Sequence, residues 1–88
     1  MSDQVATMPA PTATAVLRYI VEQLVDEPSG IQIDASERRR AITLEVRVAP
    51  GDLGRLIGRK GRTAQAIRSV VRAAAARDGV EVDVDFLD

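Results

Sequence analysis

Leu56-Ile57-Gly58-Arg59-Lys60-Gly61 is a tight, doubly basic turn bracketed by glycines, with two large aliphatic residues before it and a long alanine- and arginine-rich segment after it. Glycine at both ends removes the Cβ atoms that would hinder a sharp reversal and hold a ligand away from the main chain. Two helices can then meet almost end to end. The second would begin with unpaired N–H groups and the positive end of its dipole over the turn, a setting that suits an anion. Arg59 and Lys60 add full charges able to pair with phosphate oxygens. Four such residues alone also describe an ordinary helix connection, polar because turns face water.

The placing of charge along the chain separates these possibilities. The net charge is −1, yet residues 51 to 77 hold seven basic residues (Arg55, Arg59, Lys60, Arg62, Arg68, Arg72, Arg77) against Asp52 alone, a local +6 on a body that carries −7. A concentrated basic stripe on an acidic body fits local capture of a polyanion better than general adhesion. The 88 residues include no cysteine and no histidine, so disulfides, thiolate ligands, imidazole bases and the commonest metal ligand are all missing. Zinc and most hydrolytic chemistry are thereby disfavoured, and no catalytic, metal-binding or cofactor-binding residue is expected. Glycine and lysine are not placed for a phosphate-binding P-loop, and GxGxxG is absent.

Outward from the turn, the chain reads as one small domain over residues 11–88 behind a flexible tail, residues 1–10. The tail has no basic leader or apolar run, and no segment has the length and apolarity of a membrane span, so a soluble cytoplasmic protein is expected. Ala13, Val16, Leu17, Ile20, Val21 and Leu24 fall on one face of a helix with Thr12 as its N-cap, ending near Val25 or Asp26. Ile31-Gln32-Ile33 suits a brief strand. The run 34–40, closing on Arg38-Arg39-Arg40, reads as a charged loop or the outer end of a hairpin, where the arginines either touch RNA or keep a turn soluble. Ile42, Leu44, Val46 and Val48 alternate with polar residues as a half-buried strand.

Pro50 and Asp52 predict the start of a two-turn helix whose buried side holds Leu53, Leu56 and Ile57. Beyond the turn, Ala64, Ile67, Val71, Ala74 and Ala75 form a helical stripe opposite Arg62, Gln65, Arg68 and Arg72. Arg77-Asp78-Gly79 ends that helix. Val80, Val82, Val84 and Phe86 then alternate with Glu81, Asp83 and Asp85, giving a last strand with a solvated acidic face. The order, helix-strand-strand-helix-turn-helix-strand, specifies an α+β domain with three helices on one face of a three-stranded sheet.

Val48-Ala49-Pro50, the turn itself, and Ala66-Ile67-Arg68 followed by Val70-Val71 and the alanine run together resemble the KH domain, in particular the small single-domain bacterial KH proteins of the KhpA family. The similarity runs from about Val16 to the C-terminus, and the order matches the type II arrangement, α-β-β-α-α-β on a mixed sheet. This resemblance implies single-stranded RNA as partner, with the loop Gly58, Arg59, Lys60 and Gly61 clamping the backbone of about four nucleotides. It further implies Leu56 and Ile57 as the apolar floor of a base groove, Arg62 as a further phosphate contact, and no enzymatic activity. A homodimer, or a heterodimer with a KhpB (Jag)-type KH protein, and a role as RNA chaperone or post-transcriptional regulator are implied as well. Ala64 stands where many KH domains have a large aliphatic residue, which implies a shallow groove. Tyr19 and Phe86 lie outside any stacking platform, so recognition is expected to rest on backbone charge. Two other readings compete: a KH-fold interaction module acting through the apolar helix 63 to 76, and a helix-turn-helix DNA binder, which the two-turn first helix and flanking strands disfavour.

Overall fold

Ile42, Leu44 and Val46 are buried on one side of β2 (Ala41–Arg47), and this strand is the centre of a three-stranded sheet. The computed structural model describes residues 8–39 and 41–88; residues 1–7 of the tail predicted at 1–10, and Arg40, lie outside the described residues. β1 (Gln32–Arg38) pairs antiparallel with β2, and β3 (Glu81–Phe86) pairs parallel with it, aligning Leu44 with both Ala35 and Val84. A parallel neighbour needs a crossover, and the chain makes it with two helices: α2 (Leu53–Ile57) and α3 (Arg62–Ala75). With α1 (Pro11–Leu24) they cover the apolar side of the sheet, where Leu17 and Val21 meet Ile67 and Val71 in one core. The type II α+β architecture expected from the sequence is present. Among the described residues no helix is long and apolar enough to cross a membrane.

Several boundaries differ from expectation, each for a physical reason. β1 is not a brief strand at Ile31 to Ile33 but runs through Arg38, because main-chain pairing with β2 continues after its buried face has ended at Ile33 and the half-buried Ala35. Pro50 is not the first helical residue: Gly51 follows at φ 93°, outside the helical region, and α2 starts only after Asp52. Ala10 is fully buried and Met8 packs against the core, so the domain begins before residue 11.

Thr12 does not cap α1. The N-cap position is Ala10, with Pro11 at the first helical position and no capping side chain from the adjoining chain. Instead Asp78, 65 and 66 residues away, accepts hydrogen bonds from the N–H groups of Thr12 (3.0 Å) and Ala13 (2.9 Å). Partial burial pushes this carboxyl up, but the Ala13 and Thr12 donors outweigh it and hold the group below its ordinary value of 3.8. The unfolded chain therefore takes up this proton first on acidification. The stabilisation is complete above the ordinary value and is lost as pH falls through the lower folded one. Asp78→Ala is expected to cost about 1 kcal/mol, as loss of an N-cap does, a fall of roughly 5 °C in Tm for a domain this small. Its Tm should also drop less than the parent's between neutral pH and pH 3, which calorimetry at the two conditions measures.

Candidate nucleic-acid interface

The predicted loop is built by three successive departures from right-handed backbone. α2 closes with the Gly58 N–H donating to the Gly54 carbonyl at 3.0 Å, after which Gly58 adopts φ 73°, ψ 178°, a conformation essentially confined to glycine. Its missing Cβ is needed for a second reason. A Cβ there would meet the Thr63 Oγ1 and lie 2.6 Å from the Thr63 Cβ and 3.0 Å from its main-chain nitrogen. Arg59–Gly61 then form a single tight turn, with the Gly61 N–H donating to the Gly58 carbonyl at 3.2 Å. Lys60 (φ 56°, ψ 26°) and Gly61 (φ 72°, ψ 14°) are both left-handed, and α3 begins at Arg62 with no side chain capping its first turn.

Charge accumulates at this junction without compensation. Arg59, Lys60 and Arg62 are all exposed, and among the described residues none is in an ion pair. Three cations around the positive end of α3 oppose its dipole, each at a cost of about 0.3–1 kcal/mol in the isolated protein. Two other arginines of the stripe behave differently, whereas Arg77 at its far end is exposed and outside the ion pairs found among the described residues. Arg55 pairs with Asp26 at 2.8 Å and with Asp52 at 3.4 Å, and Arg72 pairs with Asp83 at 2.8 Å. The +6 segment is thus partly neutralised along its length and unneutralised at the loop.

Residues 14–86 match the family described as "KhpA/KhpB, KH domain". The chain belongs to the KhpA/KhpB KH-domain family. It is 49% identical over 72 residues to a protein of Streptomyces coelicolor named RNA-binding protein KhpA, covering 82% of this chain and 90% of that one. A protein of the same name from Chlamydia trachomatis is 39% identical, with 82% and 92% covered. Among solved structures, Era of Aquifex aeolicus bound to GDP and AlF4− shares the fold with a TM-score of 0.63 at 21% identity. The match covers 84% of this chain and 29% of that one.

Within this KH fold the two aliphatic residues of the motif separate. Leu56 is fully enclosed in the core, which places it beneath the loop as its anchor, whereas Ile57 is half-buried and has a face turned outward. Ala64 is buried at the foot of α3. Arg62 stands at the first helical position beside the loop, so Gly58 to Arg62 form one continuous surface.

Two carboxylates have roles that could not be identified from the sequence. Asp52, taken there as a helix-start signal, makes no cap of its own helix. Its buried carboxylate accepts the N–H groups of Asp26 and Glu27, both at 3.1 Å, and so ties the chain leaving α1 to the start of α2. Asp83, read as part of a solvated face, accepts from its own Val84 N–H and from Arg72. Burial raises its carboxyl, and the Val84 and Arg72 contacts overcome that and hold it below 3.8. Arg68 also leaves the position assigned to it on the outer side of α3. It reaches across the free edge of β3, where its Nε donates to the Val84 carbonyl at 3.0 Å and its guanidinium lies 5.3 Å from the Phe86 ring centre. A side chain long enough to reach a neighbouring strand gives no sign of doing so in helical periodicity.

Proposed function

We propose that this KH domain captures single-stranded RNA by its sugar-phosphate backbone on Gly58, Arg59, Lys60 and Gly61, with Arg62 as a further phosphate contact and Ile57 on the floor of the groove. The observation that carries this reading is the cluster of Arg59, Lys60 and Arg62, exposed and without acidic partners among the described residues, around an uncapped helix start. Phosphates supply the charge that the fold withholds. The curated relatives named RNA-binding protein KhpA support the same ligand. Binding of this kind tolerates many sequences and involves no bond making or breaking, which suits a non-catalytic RNA chaperone or post-transcriptional regulator in the cytoplasm.

Three phosphate contacts carry a defined salt dependence. For single strands log K falls with log salt at about −0.7 per neutralised phosphate, so a slope near −2 is expected in fluorescence titrations of a short labelled RNA. A slope near zero would remove the electrostatic grip.

Self-association is a second, compatible reading, favoured by α3 itself. Val70 is 50% exposed between Ala66 and Ala73, both exposed, and these small residues recur at helical spacing and permit close approach of a second helix. A homodimer, or a heterodimer with a KhpB (Jag)-type KH protein, would cover this ridge and join two weak RNA sites. Only monomer in light scattering across a concentration series, alone and with such a partner, would count against it.

A further inference from the structure

β3 is the last strand in the order β1-β2-β3, so one of its sides has no neighbouring strand. Along a strand the main-chain groups of successive residues face alternate sides. The Leu87 N–H donates to the Val46 carbonyl of β2 at 2.9 Å, which turns the odd-numbered residues inward and leaves Val82, Val84 and Phe86 facing the open side. The same three residues carry the apolar face of the strand, and Glu81, Asp83 and Asp85 carry its exposed face. A strand of β-branched and aromatic residues with an open edge is a template for pairing with another strand.

In this chain the open side is closed at its midpoint. The Val84 N–H donates to Asp83 Oδ1 at 2.9 Å, and the Val84 carbonyl accepts from Arg68 Nε at 3.0 Å. Arg72 holds the same Asp83 oxygen at 2.8 Å, and the Arg68 guanidinium lies 5.3 Å from the Phe86 ring centre. Three charged side chains thus converge on the one residue at the middle of the edge. The opposite edge of the sheet is treated differently. Among the described residues no side chain bonds to the main chain of β1, whose exposed charges after Ile33 already discourage pairing.

The alternation also fixes which strand would fit. An antiparallel copy of β3, related by a two-fold axis through Val84, sets Val84 against Val84 and Val82 against Phe86. All of these have main-chain groups facing the gap, as hydrogen-bonded pairs require. Two features oppose that register here. The caps occupy the Val84 N–H and carbonyl, and Asp83 would stand directly opposite the copy's Asp85, like charge on like charge.

We infer that the free edge of β3 is a strand-pairing surface whose fitting partner is a second copy of β3, and that Arg68, Arg72 and Asp83 hold it closed. This surface is distinct from the Ala66, Val70 and Ala73 ridge, which helical spacing places on the other side of α3 from Arg68 and Arg72. It involves no RNA.

The test is sedimentation velocity of the full chain over a concentration series, for the parent, for Arg68→Met/Asp83→Ala, and for Arg77→Met/Asp88→Ala. The last makes the same replacements at exposed positions outside these contacts. Methionine keeps the length and helix preference of residue 68. Self-association of the edge variant is expected to be at least about tenfold tighter than the parent's, the gain of two interchain main-chain hydrogen bonds, with the control at the parent's value. Amide exchange at Val82, Val84 and Phe86 should slow between dilute and concentrated samples of the edge variant. If the double variant melts below the assay temperature, Arg68→Met alone is read in the same way, with about a threefold gain expected from the freed carbonyl. A folded edge variant that associates no more tightly than the parent would overturn the inference. Tighter association that leaves those three amides unchanged would overturn it too, since another face would then be in contact. An equal gain in the control would do the same, because the loss of charge alone would be its cause.

Discussion

Replacing Arg59 and Lys60 together by aspartate is expected to abolish measurable binding of a short single-stranded RNA, a loss of at least about a hundredfold, because two attractions beside bound phosphates become two repulsions. The fold should not register the change. Both side chains are exposed and free of ion pairs among the described residues, so Tm is expected to stay within roughly 3 °C, as for other surface changes. Two local effects even favour the variant. Aspartate tolerates the left-handed conformation of residue 60 better than lysine does, and acids at the start of α3 complement its dipole. Lost affinity at unchanged Tm, read by fluorescence anisotropy and circular dichroism on the same samples, separates a binding role from a structural one. Retained affinity would show that RNA is held elsewhere.

The two loop glycines should respond very differently to alanine. Gly58 combines a backbone conformation closed to other residues with a Cβ position occupied by Thr63, whose main-chain nitrogen cannot move without shifting the first turn of α3. Strain and overpacking together amount to about 3–5 kcal/mol, a drop of roughly 15 °C or more in Tm and a large share of the stability of a domain this size. Gly61 has an ordinary left-handed conformation and open space around its Cβ position. Gly61→Ala should therefore cost only about 1 kcal/mol. Thermal melts of the two single variants measure the difference, and equal losses would mean that the contact with Thr63 is not what makes Gly58 a glycine.

Much of this site is legible in sequence because its determinants are local. Two glycines three apart, an aliphatic pair before them and alternating or helical spacing on either side are all read within a few residues. The order of elements, the buried faces of β2 and α3, and the family pattern follow from the same short-range signals. What escapes is carried by contacts between residues far apart in the chain. Asp78 accepts from a helix N-terminus 65 and 66 residues away, and Asp52 satisfies main-chain donors 25 and 26 residues away, so neither role leaves a local trace. β1 reaches Arg38 because β2 provides a partner, although residues 36 to 38 are all exposed. The division of the arginines is likewise tertiary. Helical spacing groups Arg62, Arg68 and Arg72 on one side, and only the position of β3 shows that two of them are engaged with its edge.

That division is the basis of the proposed mechanism. Arg55 and Asp52 brace the loop from behind, Leu56 anchors it from below, and Arg59, Lys60 and Arg62 are left as the charges that an incoming polyanion meets.

The most direct test is two-dimensional amide NMR of the full-length chain titrated with a short oligouridine. Progressive shifts of Gly58, Arg59, Lys60, Gly61, Arg62 and Thr63 are expected, with little change along the solvent face of the sheet. Shifts confined to the Ala66, Val70 and Ala73 ridge, or to the strands with the loop unmoved, would contradict the proposed site.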